Sequence, residues 1–479
     1  MCQFNHAQNE PPMVPFSLPI IGHTISYIFN AEKFLAKCRN KYGDPFNIFI
    51  FGNVLTYVGN KTSCEVFKEH DIFDHEQVLV ETLIFPLAFK RIKGFGNMRF
   101  LANAVHEQVS GKIKVYVPRM QKELKNGIDL YIGNCKESKV IKNFADTMLF
   151  IIVRPIFNII FGEEASHFEE LIISMTTLLK QLGTLPLIPP VLSIIHPSLH
   201  IKAISFGWNP INKPKKLFTK LMKPIVKKRL LQKKKLDNEY IKKEDLMEYY
   251  LFDSDYDPNN VNDEYMEFLF EQLIVTLFAA FFTTVKVVTE ALYEYAGRPE
   301  LWKDIFEEQI MIYNKTNGNL TIDDVHKMVK LDSLLKETLR HSFPVVLKTT
   351  MSNESYTFST GAKIPKGRVV VVYAADSHFN SQVYNDPESF QPNRYLTSNI
   401  DGSVVNYITA TKLEKYYIPF GSGKHACPGR IFAVTEIKLC LYELILKYNI
   451  RTESGKVDPK LKIGDQLLPP ITGLIFENR

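Results

Sequence analysis

The chain has 479 residues, of which 45% are hydrophobic, and it carries a formal net charge of +6. Its six cysteines are scattered without any Cys-x-x-Cys pair, which excludes a disulfide framework and a cysteine-based zinc site. The length would allow about three domains, but no Gly- or Ser-rich linker, repeat or low-complexity segment divides the chain. The composition therefore predicts one large hydrophobic core, in a reducing compartment or at the cytosolic face of a membrane.

The amino terminus is rich in proline. Residues 1–22 contain four closely spaced prolines, which predict a stiff, extended lead-in segment without a transmembrane helix. The segment has no positively charged flank followed by an apolar stretch, so no targeting signal is predicted. Residues 23–479 are expected to form a single domain, and an anchoring helix, if the protein has one, is expected upstream of this sequence.

The first predicted element is a β-hairpin over residues 45–60, where apolar and polar residues alternate on both sides of a Gly-Asn pair. A helix is expected from Lys61, and a phenylalanine-rich irregular segment follows over residues 72–100. Because loops of that length are often functional, we expect its part from residue 79 to residue 100 to line a pocket. Helical patterns return over residues 106–134 and 145–182.

Two segments in the middle of the chain have compositions that favour surface contacts. Residues 183–199 are apolar and broken by four prolines, which predicts a loop that dips into a membrane interface or roofs an apolar pocket, or else a buried connector. Residues 213–235 hold eleven Lys or Arg and no acid, at amphipathic helical spacing. Such a helix suits an anionic membrane surface, an acidic redox protein or nucleic acid, or it is simply a solvated face.

The longest helical pattern covers residues 261–296 without an internal Gly or Pro. At 1.5 Å per residue, this helix would extend over ~50 Å and cross the whole molecule. Further helices are predicted over residues 299–314 and 322–341, a strand over residues 368–373, and a closing helix over residues 429–448. The chain is therefore expected to be mainly α with a minor β-sheet region.

One cysteine near the carboxyl end stands in a frame of glycines and polar residues. From Phe420 to Gly429 the chain reads Phe-Gly-Ser-Gly-Lys-His-Ala-Cys-Pro-Gly. Glycines such as Gly423 allow backbone to approach a flat ligand closely, and a single thiolate from Cys427 suits the axial position of an iron porphyrin. The N–H groups after the cysteine are predicted to hold it as a thiolate, and His425 is placed to meet a porphyrin propionate. The alternative is a lone buried cysteine in a glycine-rich loop.

Three charged residues upstream of this cysteine are predicted to form a supporting cluster. Glu337 and Arg340 lie three residues apart on one face of a predicted helix, and Arg394 ends a Phe-x-Pro-x-Arg sequence. A Glu–Arg–Arg cluster would clamp the loop that carries Cys427. Taken alone, a pair of this kind is usually a surface ion pair that contributes little to stability.

Together, the cysteine frame, the Glu-x-x-Arg pair and the Phe-x-Pro-x-Arg sequence resemble the cytochrome P-450 family of haem-thiolate monooxygenases, over nearly the whole chain. The resemblance is greatest to fungal members of the microsomal type that oxidise lipophilic metabolites in secondary metabolism. It implies heme b, which is iron protoporphyrin IX, and the cytochrome P-450 fold, in which a long central helix lies over the haem. It also implies that Cys427 is the ligand of the iron and that Phe420, Gly423, His425 and Gly429 contribute to the haem site.

The resemblance extends to the oxygen-activating motif of the family, which here reads Ala-Ala-Phe-Phe-Thr-Thr over residues 279–284. It implies catalytic roles for Thr283 and Thr284, with the Thr283 hydroxyl hydrogen bonding to bound dioxygen. The acid that most members carry is replaced by Phe282, which cannot relay protons, so protons must arrive by another route. The alternative for Thr283 is an ordinary helical threonine that bonds its own backbone.

Two residues are candidates for pairing with haem propionates. Members of the family tend to carry a Trp-x-x-x-Arg sequence on an early helix, and this chain has no Trp there. His106 lies near that helix and Lys348 follows the Glu-x-x-Arg helix, so the resemblance suggests either as a replacement for the missing arginine. Each is otherwise an ordinary surface residue.

The activity implied by this resemblance is the insertion of one oxygen atom from O2 into a lipophilic small molecule, which is terpenoid, sterol or fatty-acid-like. Electrons would come from NADPH through a flavoprotein reductase, and Lys424 is expected to face that partner. Peripheral membrane contact is expected, and nucleic acid is not an expected partner. The implied location is the cytosolic face of the endoplasmic reticulum membrane if an upstream anchor exists, and otherwise the cytoplasm or a peripheral membrane position.

Two other functions stay open at this point. Phe282 in place of the acid is compatible with a haem-thiolate peroxide isomerase or dehydratase, which needs neither a reductase nor the usual proton relay. A haem-binding protein without catalysis, either a ligand carrier or a sensor, is the third alternative. The retained Thr283 argues against that last function.

Overall fold

The longest helix of the computed structural model, Asp263–Ala296, confirms the element predicted over residues 261–296. Asn262 caps its first turn, because the side chain accepts a hydrogen bond from the N–H of Tyr265 at 2.9 Å. Most of its side chains are buried, and helices from both halves of the chain pack against it. The hydrophobic core is therefore built around this helix.

The structure describes residues 9–74, 98–184, 188, 190–196, 199–200, 202–203, 210–236, 239–252, 260–343, 346–399 and 404–479. Within these ranges the α-helices are α1 (Thr24–Tyr42), α2 (Ser63–Lys68), α3 (Met98–Ala104), α4 (Ile113–Tyr131), α5 (Phe144–Phe161), α6 (Glu169–Thr184), α7 (Asn212–Leu236), α8 (Leu246–Phe252), α9 (Asp263–Ala296), α10 (Pro299–Thr316), α11 (Ile322–His326), α12 (Val329–Ser342), α13 (Ala375–His378) and α14 (Arg430–Lys447). The strands are β1 (Phe46–Ile50), β2 (Asn53–Val58), β3 (Phe73–Asp74), β4 (Lys139–Ile141), β5 (Val346–Ser352), β6 (Tyr356–Thr357), β7 (Lys363–Ile364), β8 (Val369–Tyr373), β9 (Leu396–Ser398), β10 (Val404–Tyr407), β11 (Tyr448–Thr452), β12 (Leu461–Ile463), β13 (Gln466–Leu468) and β14 (Leu474–Asn478). Helices predominate and the sheets are small, which confirms the predicted fold class.

The helix predicted over residues 106–134 differs at its start. Residues Val105–Ser110 form a π-helix, which the N–H of Gly111 closes by donating to the carbonyl of His106 at 2.8 Å. The regular α-helix α4 begins only afterwards. Wide turns of this kind frequently occur at functional sites, and this one packs against the loop that carries the predicted haem ligand.

The helical pattern over residues 145–182 is divided into α5 and α6. Gly162 follows α5 with a φ of +92°, a conformation that favours glycine at the end of a helix. A Cβ atom there would lie 2.5 Å from Oδ2 of Asp245 and 2.6 Å from Nη2 of Arg229. These two side chains form a buried ion pair at 2.9 Å, so α5 ends where the ion pair approaches its backbone.

The pattern over residues 322–341 is likewise two helices, α11 and α12. A capping box starts α11, because Thr321 and Asp324 each accept a hydrogen bond from the other's backbone N–H. Lys327 and Met328 then separate the two helices. The longer helix, α12, carries the predicted Glu-x-x-Arg pair.

The hairpin predicted over residues 45–60 is confirmed as β1 and β2, which pair antiparallel. Within the described residues they belong to a sheet of strand order β1-β2-β8-β5-β3. β2 and β8 are parallel, and the other neighbouring strands are antiparallel. β8 is the strand predicted over residues 368–373.

The proline-rich lead-in segment is tied to this sheet. Asn47 in β1 donates its N–H to the carbonyl of Pro12 at 2.9 Å and accepts the N–H of Val14 at the same distance. Its side chain donates to the carbonyl of Pro11 at 2.9 Å and accepts from Thr56. The described part of the lead-in segment therefore packs against β1, and the division at residue 22 stays a prediction.

In the part of the chain that the structure describes, two helices, α5 and α9, are long and apolar enough to cross a membrane by length and composition alone. Most of their side chains are buried inside the protein. Because a core helix passes the same test, their apolar character is accounted for by the packing around α9.

Candidate functional site

The loop between Phe420 and Cys427 is closed by a hydrogen bond from the N–H of Cys427 to the carbonyl of Phe420 at 2.8 Å. Gly421 and Gly423 have φ values of +70° and +63°, which glycine reaches without a steric penalty. A Cβ atom on Gly423 would lie 3.1 Å from the carbonyl oxygen of Phe67 near the end of α2. The loop is therefore a tight turn held against α2, and it places Cys427 just before α14.

The side chain of Cys427 is enclosed and yet partly accessible. Burial raises the pKa of its thiol, while the N–H groups of Gly429 and Arg430 and the charge of Arg430 act in the opposite direction. The sequence predicts that these two N–H groups face the sulfur, and the structure places them there. The same groups would stabilise the negative charge of a metal-bound thiolate.

The π-helix covers the cysteine loop. The hydroxyl of Ser110 donates to the carbonyl of Pro428 at 2.7 Å, and a Cβ atom on Gly429 would lie 3.7 Å from Cγ1 of Val105. His106, the residue after Val105, is exposed. It thus lies on the element that touches the loop, and its binding of a propionate stays a prediction.

Midway along α9, two residues are exposed although this part of the helix lies in the core. Ala279 and Thr283 lie one turn apart on the same face, whereas Leu277, Phe281 and Val285 are buried. The Thr283 hydroxyl donates to the carbonyl of Ala279 at 3.1 Å, and its oxygen retains lone pairs for an incoming donor. An accessible patch in the middle of a core helix indicates an internal space beside it.

Thr284 lies on a different face of α9 from Thr283. Its side chain is buried, and its hydroxyl has no hydrogen-bond partner within the described part of the chain. Of the two threonines that the sequence proposes as catalytic, the structure therefore brings only Thr283 to the accessible face.

Phe282, which occupies the position of the missing acid, packs against α6. A Cβ atom on Gly183 would lie 2.2 Å from two atoms of the Phe282 ring, so the ring occupies the space that a larger residue on α6 would need. The Phe282 ring also contacts the rings of Phe278 and Phe281, with centroids 5.2 and 5.1 Å away. Phe282 thus packs between α6 and α9.

Partly accessible apolar side chains pack against the main core from several elements. They come from α3, the π-helix, α9, the end of α12 and the cysteine loop: Leu101, Val105, Phe278, Ala280, Phe282, Phe343 and Phe420. Mostly apolar surroundings with a few placed polar groups, here the thiol and the threonine hydroxyl, are typical of sites for cofactors and small molecules.

Several predicted site features fall outside the described residues. Lys348 belongs to β5, where its backbone pairs with Val372 of β8, but its side chain is not among those described. The same holds for the side chain of His425 and for most of the predicted pocket segment, residues 75–97. Their roles in the haem site stay predictions.

Glu337, Arg340 and Arg394 meet in a buried ion cluster. The carboxylate of Glu337 accepts two hydrogen bonds from Arg340, at 2.9 and 2.7 Å, and one from Nε of Arg394 at 3.0 Å. Burial by itself would raise the pKa of Glu337, but hydrogen bonds from Arg340 and His341 and the charge of Arg340 hold it well below its usual range. Glu337 is therefore ionised in the folded protein.

The two arginines use their remaining N–H groups to hold the chain that follows α13. Arg340 donates to the carbonyls of His378 and Pro387, each at 2.7 Å. Arg394 donates to the carbonyl of Asn385 at 2.6 Å. One buried carboxylate thus orients two guanidinium groups, and these fix a segment without regular secondary structure.

His378 connects this cluster to the cysteine loop, and sequence reasoning missed it. Its carbonyl accepts from Arg340, and its Nε2 lies 3.1 Å from the N–H of Ile418, two residues before Phe420. Burial and the nearby charges of Arg340 and His341 lower the pKa of His378 to about 3, so the neutral ring can accept that N–H. No local sequence pattern reveals this role, because the partner is a backbone group 40 residues away.

Comparison with known proteins identifies the family. A family model, Cytochrome P450, matches residues 11–476. Lanosterol 14-alpha demethylase of Candida tropicalis is 25% identical over 477 residues, which cover 94% of this chain and 86% of that protein. Fumitremorgin C monooxygenase of Neosartorya fischeri is 34% identical over 184 residues, which cover 38% of this chain and 36% of that protein.

Among solved structures, the retinoic-acid-bound cyanobacterial protein CYP120A1 is similar to this chain with a TM-score of 0.70. The match covers 99% of this chain and 100% of that chain, at 20% sequence identity. At this identity the likeness supports the fold alone.

The chain belongs to the cytochrome P450 family, a class of proteins whose cofactor is haem iron. It is an oxidoreductase, a cytochrome P450 monooxygenase. The resemblance that the sequence shows to this family, and to its fungal members in particular, is confirmed by these comparisons.

The residues of the site fit the haem of this family. Cys427 offers a partly accessible sulfur backed by two N–H groups, and Thr283 offers an accessible hydroxyl on the central helix. Beside the cysteine, the buried Nε of Arg430 has no hydrogen-bond partner among the described residues, and an acceptor on the cofactor would satisfy it.

We predict that Glu337→Gln destabilises the protein by about 3–5 kcal/mol, because Arg340 and Arg394 would stay buried without a carboxylate. The cysteine loop should lose its support through His378, and the haem content per protein molecule should fall. Urea denaturation and haem absorbance measure the two effects.

The matched control is Glu307→Gln on α10, which breaks the exposed pair between Lys303 and Glu307. An exposed pair contributes about 0–1 kcal/mol, so this variant should unfold like the wild type and keep its haem. Equal unfolding midpoints for the two variants would contradict a structural role for the buried cluster.

Proposed function

We propose that this monooxygenase inserts one atom of O2 into a lipophilic small molecule of terpenoid, sterol or fatty-acid-like chemistry. Electrons would reach it from NADPH through a flavoprotein reductase. The observation that carries the proposal is the presence of two polar groups, the Cys427 thiol and the Thr283 hydroxyl, in otherwise apolar core surroundings. The names of two relatives, a lanosterol demethylase and a fumitremorgin C monooxygenase, support a lipophilic substrate.

Each polar group of the site has a distinct task in this proposal. Haem held by Cys427 would supply the oxygen-activating chemistry. The N–H groups of Gly429 and Arg430 keep the sulfur negatively charged. Thr283 presents its hydroxyl from α9, where it can hold a proton or a water molecule. Apolar side chains such as Phe278 exclude water from the surroundings of the reacting carbon.

The test is a spectral titration of the purified protein with terpenoids, sterols and fatty acids, followed by turnover of the compounds that bind. Binding compounds should change the haem absorption as they displace water. Oxidised product should form only when reductase, NADPH and O2 are all present. Product analysis by mass spectrometry should show the mass of one added oxygen atom.

A reductase-independent peroxide isomerase or dehydratase is the second candidate function. One observation favours it. Residues 279–284 contain no acidic side chain that could relay protons, and the Phe282 ring fills the space beside Gly183 of α6. Turnover of a lipid hydroperoxide without reductase, with no NADPH-dependent product, would favour it over the proposed oxygen insertion. Failure of both reactions, with electron transfer confirmed, would point to a haem protein without catalysis.

Two exposed lysines beside the cysteine loop suit a reductase. The cysteine loop contacts α2 where Gly423 approaches Phe67. Lys424 and Lys68 are the residues that follow these two in the chain, and both are exposed. Both ammonium groups therefore lie near the side of the protein that holds the haem ligand. Basic residues at this position would steer an acidic flavoprotein domain toward the cysteine.

We predict that the double variant Lys68→Glu and Lys424→Glu slows electron transfer from the reductase about tenfold at low salt, because rim charges mainly alter association. High salt should shrink the difference. Stopped-flow reduction measures the rate. The control is Lys303→Glu together with Lys315→Glu, two exposed lysines on α10, with the same charge change. Equal slowing in the control would contradict a specific docking site.

An exposed apolar face is the feature that suits a membrane surface. It consists of Leu18, Ile20, Ile25, Phe29, Ile188, Val191, Leu192, Ile195 and Leu199. The β1–β2 turn connects its two halves: Phe51 donates its N–H to Thr24 of α1 at 2.9 Å, and a Cβ on Gly52 would lie 3.3 Å from the carbonyl of Ser193. Of the alternatives for residues 183–199, this exposure favours the membrane loop.

We propose that this apolar face rests on a lipid bilayer, such as the cytosolic face of the endoplasmic reticulum. Phe29 is 83% exposed and Ile195 is 75% exposed, so both would bury much surface in the lipid. We predict that Phe29→Ser with Ile195→Ser weakens binding to phosphatidylcholine vesicles about tenfold or more. Vesicle flotation measures the bound fraction.

The control for this experiment is Leu130→Ser with Met311→Ser. These residues are also exposed and apolar, but they lie on α4 and α10. Vesicle binding of the control should match that of the wild type. Equal losses in both double variants would show general stickiness and would contradict a membrane-facing surface.

A further inference from the structure

The accessible face of α9 continues into a line of charged residues. Ala279, Thr283, Lys286 and Glu290 follow one another at intervals of four, three and four residues, which places them on one helix face. Side chains on a helix lean toward its amino terminus, so Glu290 leans toward Lys286, and the stem of Lys286 starts one turn after Thr283 on the same face. This face of the helix therefore runs from the proposed oxygen site into a cluster of ionised groups.

The side chain of Lys286 is mostly enclosed but remains partly accessible. Its Nζ donates to Oε1 of Glu290 at 2.6 Å and to the carbonyl of Ser342 at 2.7 Å, and it lies 4.8 Å from the centroid of the Phe343 ring. An ammonium has three N–H groups, and these contacts use two of them. The side chain is still 16% accessible, although helix α9 lies in the core.

Glu290 links Lys286 to a second lysine. Its carboxylate is fully buried and accepts Nζ of Lys460 at 2.9 Å as well as the hydroxyl of Ser342. Lys460 donates further to the carbonyl of His341 at 3.3 Å. A continuous set of hydrogen bonds therefore leads from Lys286 through Glu290 to Lys460, which is itself partly accessible.

The burial of Lys286 favours release of its proton. Burial and the neighbouring ammonium of Lys460 lower the pKa of Lys286 to about 8, against the opposing effect of Glu290. Among the described residues, the charge of Lys460 also acts on Glu294, which is buried, and on His341 at the end of α12. An acid with a pKa close to physiological pH is suited to giving up and regaining a proton.

We propose that Lys286 relays protons to Thr283, in place of the acid that the chain lacks at Phe282, and that Glu290 and Lys460 connect it to solvent. This inference rests on the proposed monooxygenase function. In the relay, Nζ of Lys286 gives one proton to the oxygen of Thr283, and the proton that this hydroxyl already carries passes on toward the place where the haem would hold dioxygen. The neutral amine of Lys286 regains a proton from Lys460 through the Glu290 carboxylate, and Lys460 then takes up a proton from solvent. No electron moves in this sequence.

Lys286 also has a purely structural explanation, since it joins α9 to the end of α12. Two variants separate the roles. Lys286→Met removes both the charge and the proton. Lys286→Arg keeps a positive charge that does not titrate, so it should preserve the ion pair while abolishing proton release.

The first readout needs no turnover. The C–O stretching frequency of the ferrous carbon monoxide complex reports the electrostatic field at the oxygen site, and a nearby cation lowers it. In the wild type, this frequency should rise as the pH passes about 8, where Lys286 loses its charge. The step should be absent in Lys286→Met and in Lys286→Arg. A step that persists unchanged in Lys286→Met, or no step in the wild type, would overturn the proposal.

The second readout is product formed per NADPH consumed. Both variants should lower it about tenfold or more, because removing a general acid typically costs at least that factor. The control is Lys438→Met on α14, which removes a buried ammonium that pairs with Asp332 at 3.0 Å. It should lose stability but keep the pH step and the yield. An unchanged yield in Lys286→Arg would overturn the relay.

The outcomes also separate this proposal from the proposed function. If no substrate is oxidised by the wild type, the monooxygenase proposal fails, and the carbon monoxide titration still shows whether Lys286 titrates beside the oxygen site. If the wild type forms product and the pH step is absent, only the relay is wrong.

Discussion

The cysteine loop depends on the ion pairs that the buried carboxylate of Glu337 forms with Arg340 and Arg394. A charge of this kind is costly to bury unless hydrogen bonds replace its lost hydration. Arg340 and Arg394 provide them, and both arginines also hold backbone carbonyls of the segment after α13. The imidazole of His378 then accepts the N–H of Ile418 and so holds the segment that leads into Phe420. The position of Cys427 is thus set by a series of polar contacts that begins far from the sulfur.

Successive residues of the central helix α9 point in different directions and therefore have different roles. Phe282 faces α6 and fills the space beside Gly183, whereas Thr283 faces the accessible interior and Thr284 is buried on another face. One turn further on, Lys286 reaches the ion pairs with Glu290 and Lys460. Phe282 at the position of the usual acid therefore has a packing explanation on one face, while the adjacent face carries the groups of the proposed proton relay.

Much of the architecture was accessible from local patterns. The hairpin over residues 45–60 follows from alternation around a Gly-Asn turn, and α9 follows from a long apolar pattern without a helix breaker. The frame of Cys427 and the pair of Glu337 with Arg340 were recognisable because their chemistry depends on short spacings. The π-helix at Val105–Ser110 was not, since its wide turn meets the carbonyl of Pro428, far away in the chain.

Residue type and spacing determined the fold class and the family and predicted Cys427 as the sulfur ligand, because periodic burial and a tightly framed cysteine are local properties of the chain. Tertiary structure alone decided which threonine is exposed, how His378 joins the Glu337–Arg340–Arg394 cluster to the cysteine loop, and why burial lowers the pKa of Lys286. These depend on groups brought together from distant positions, whose burial and charge change with every neighbour that folding supplies.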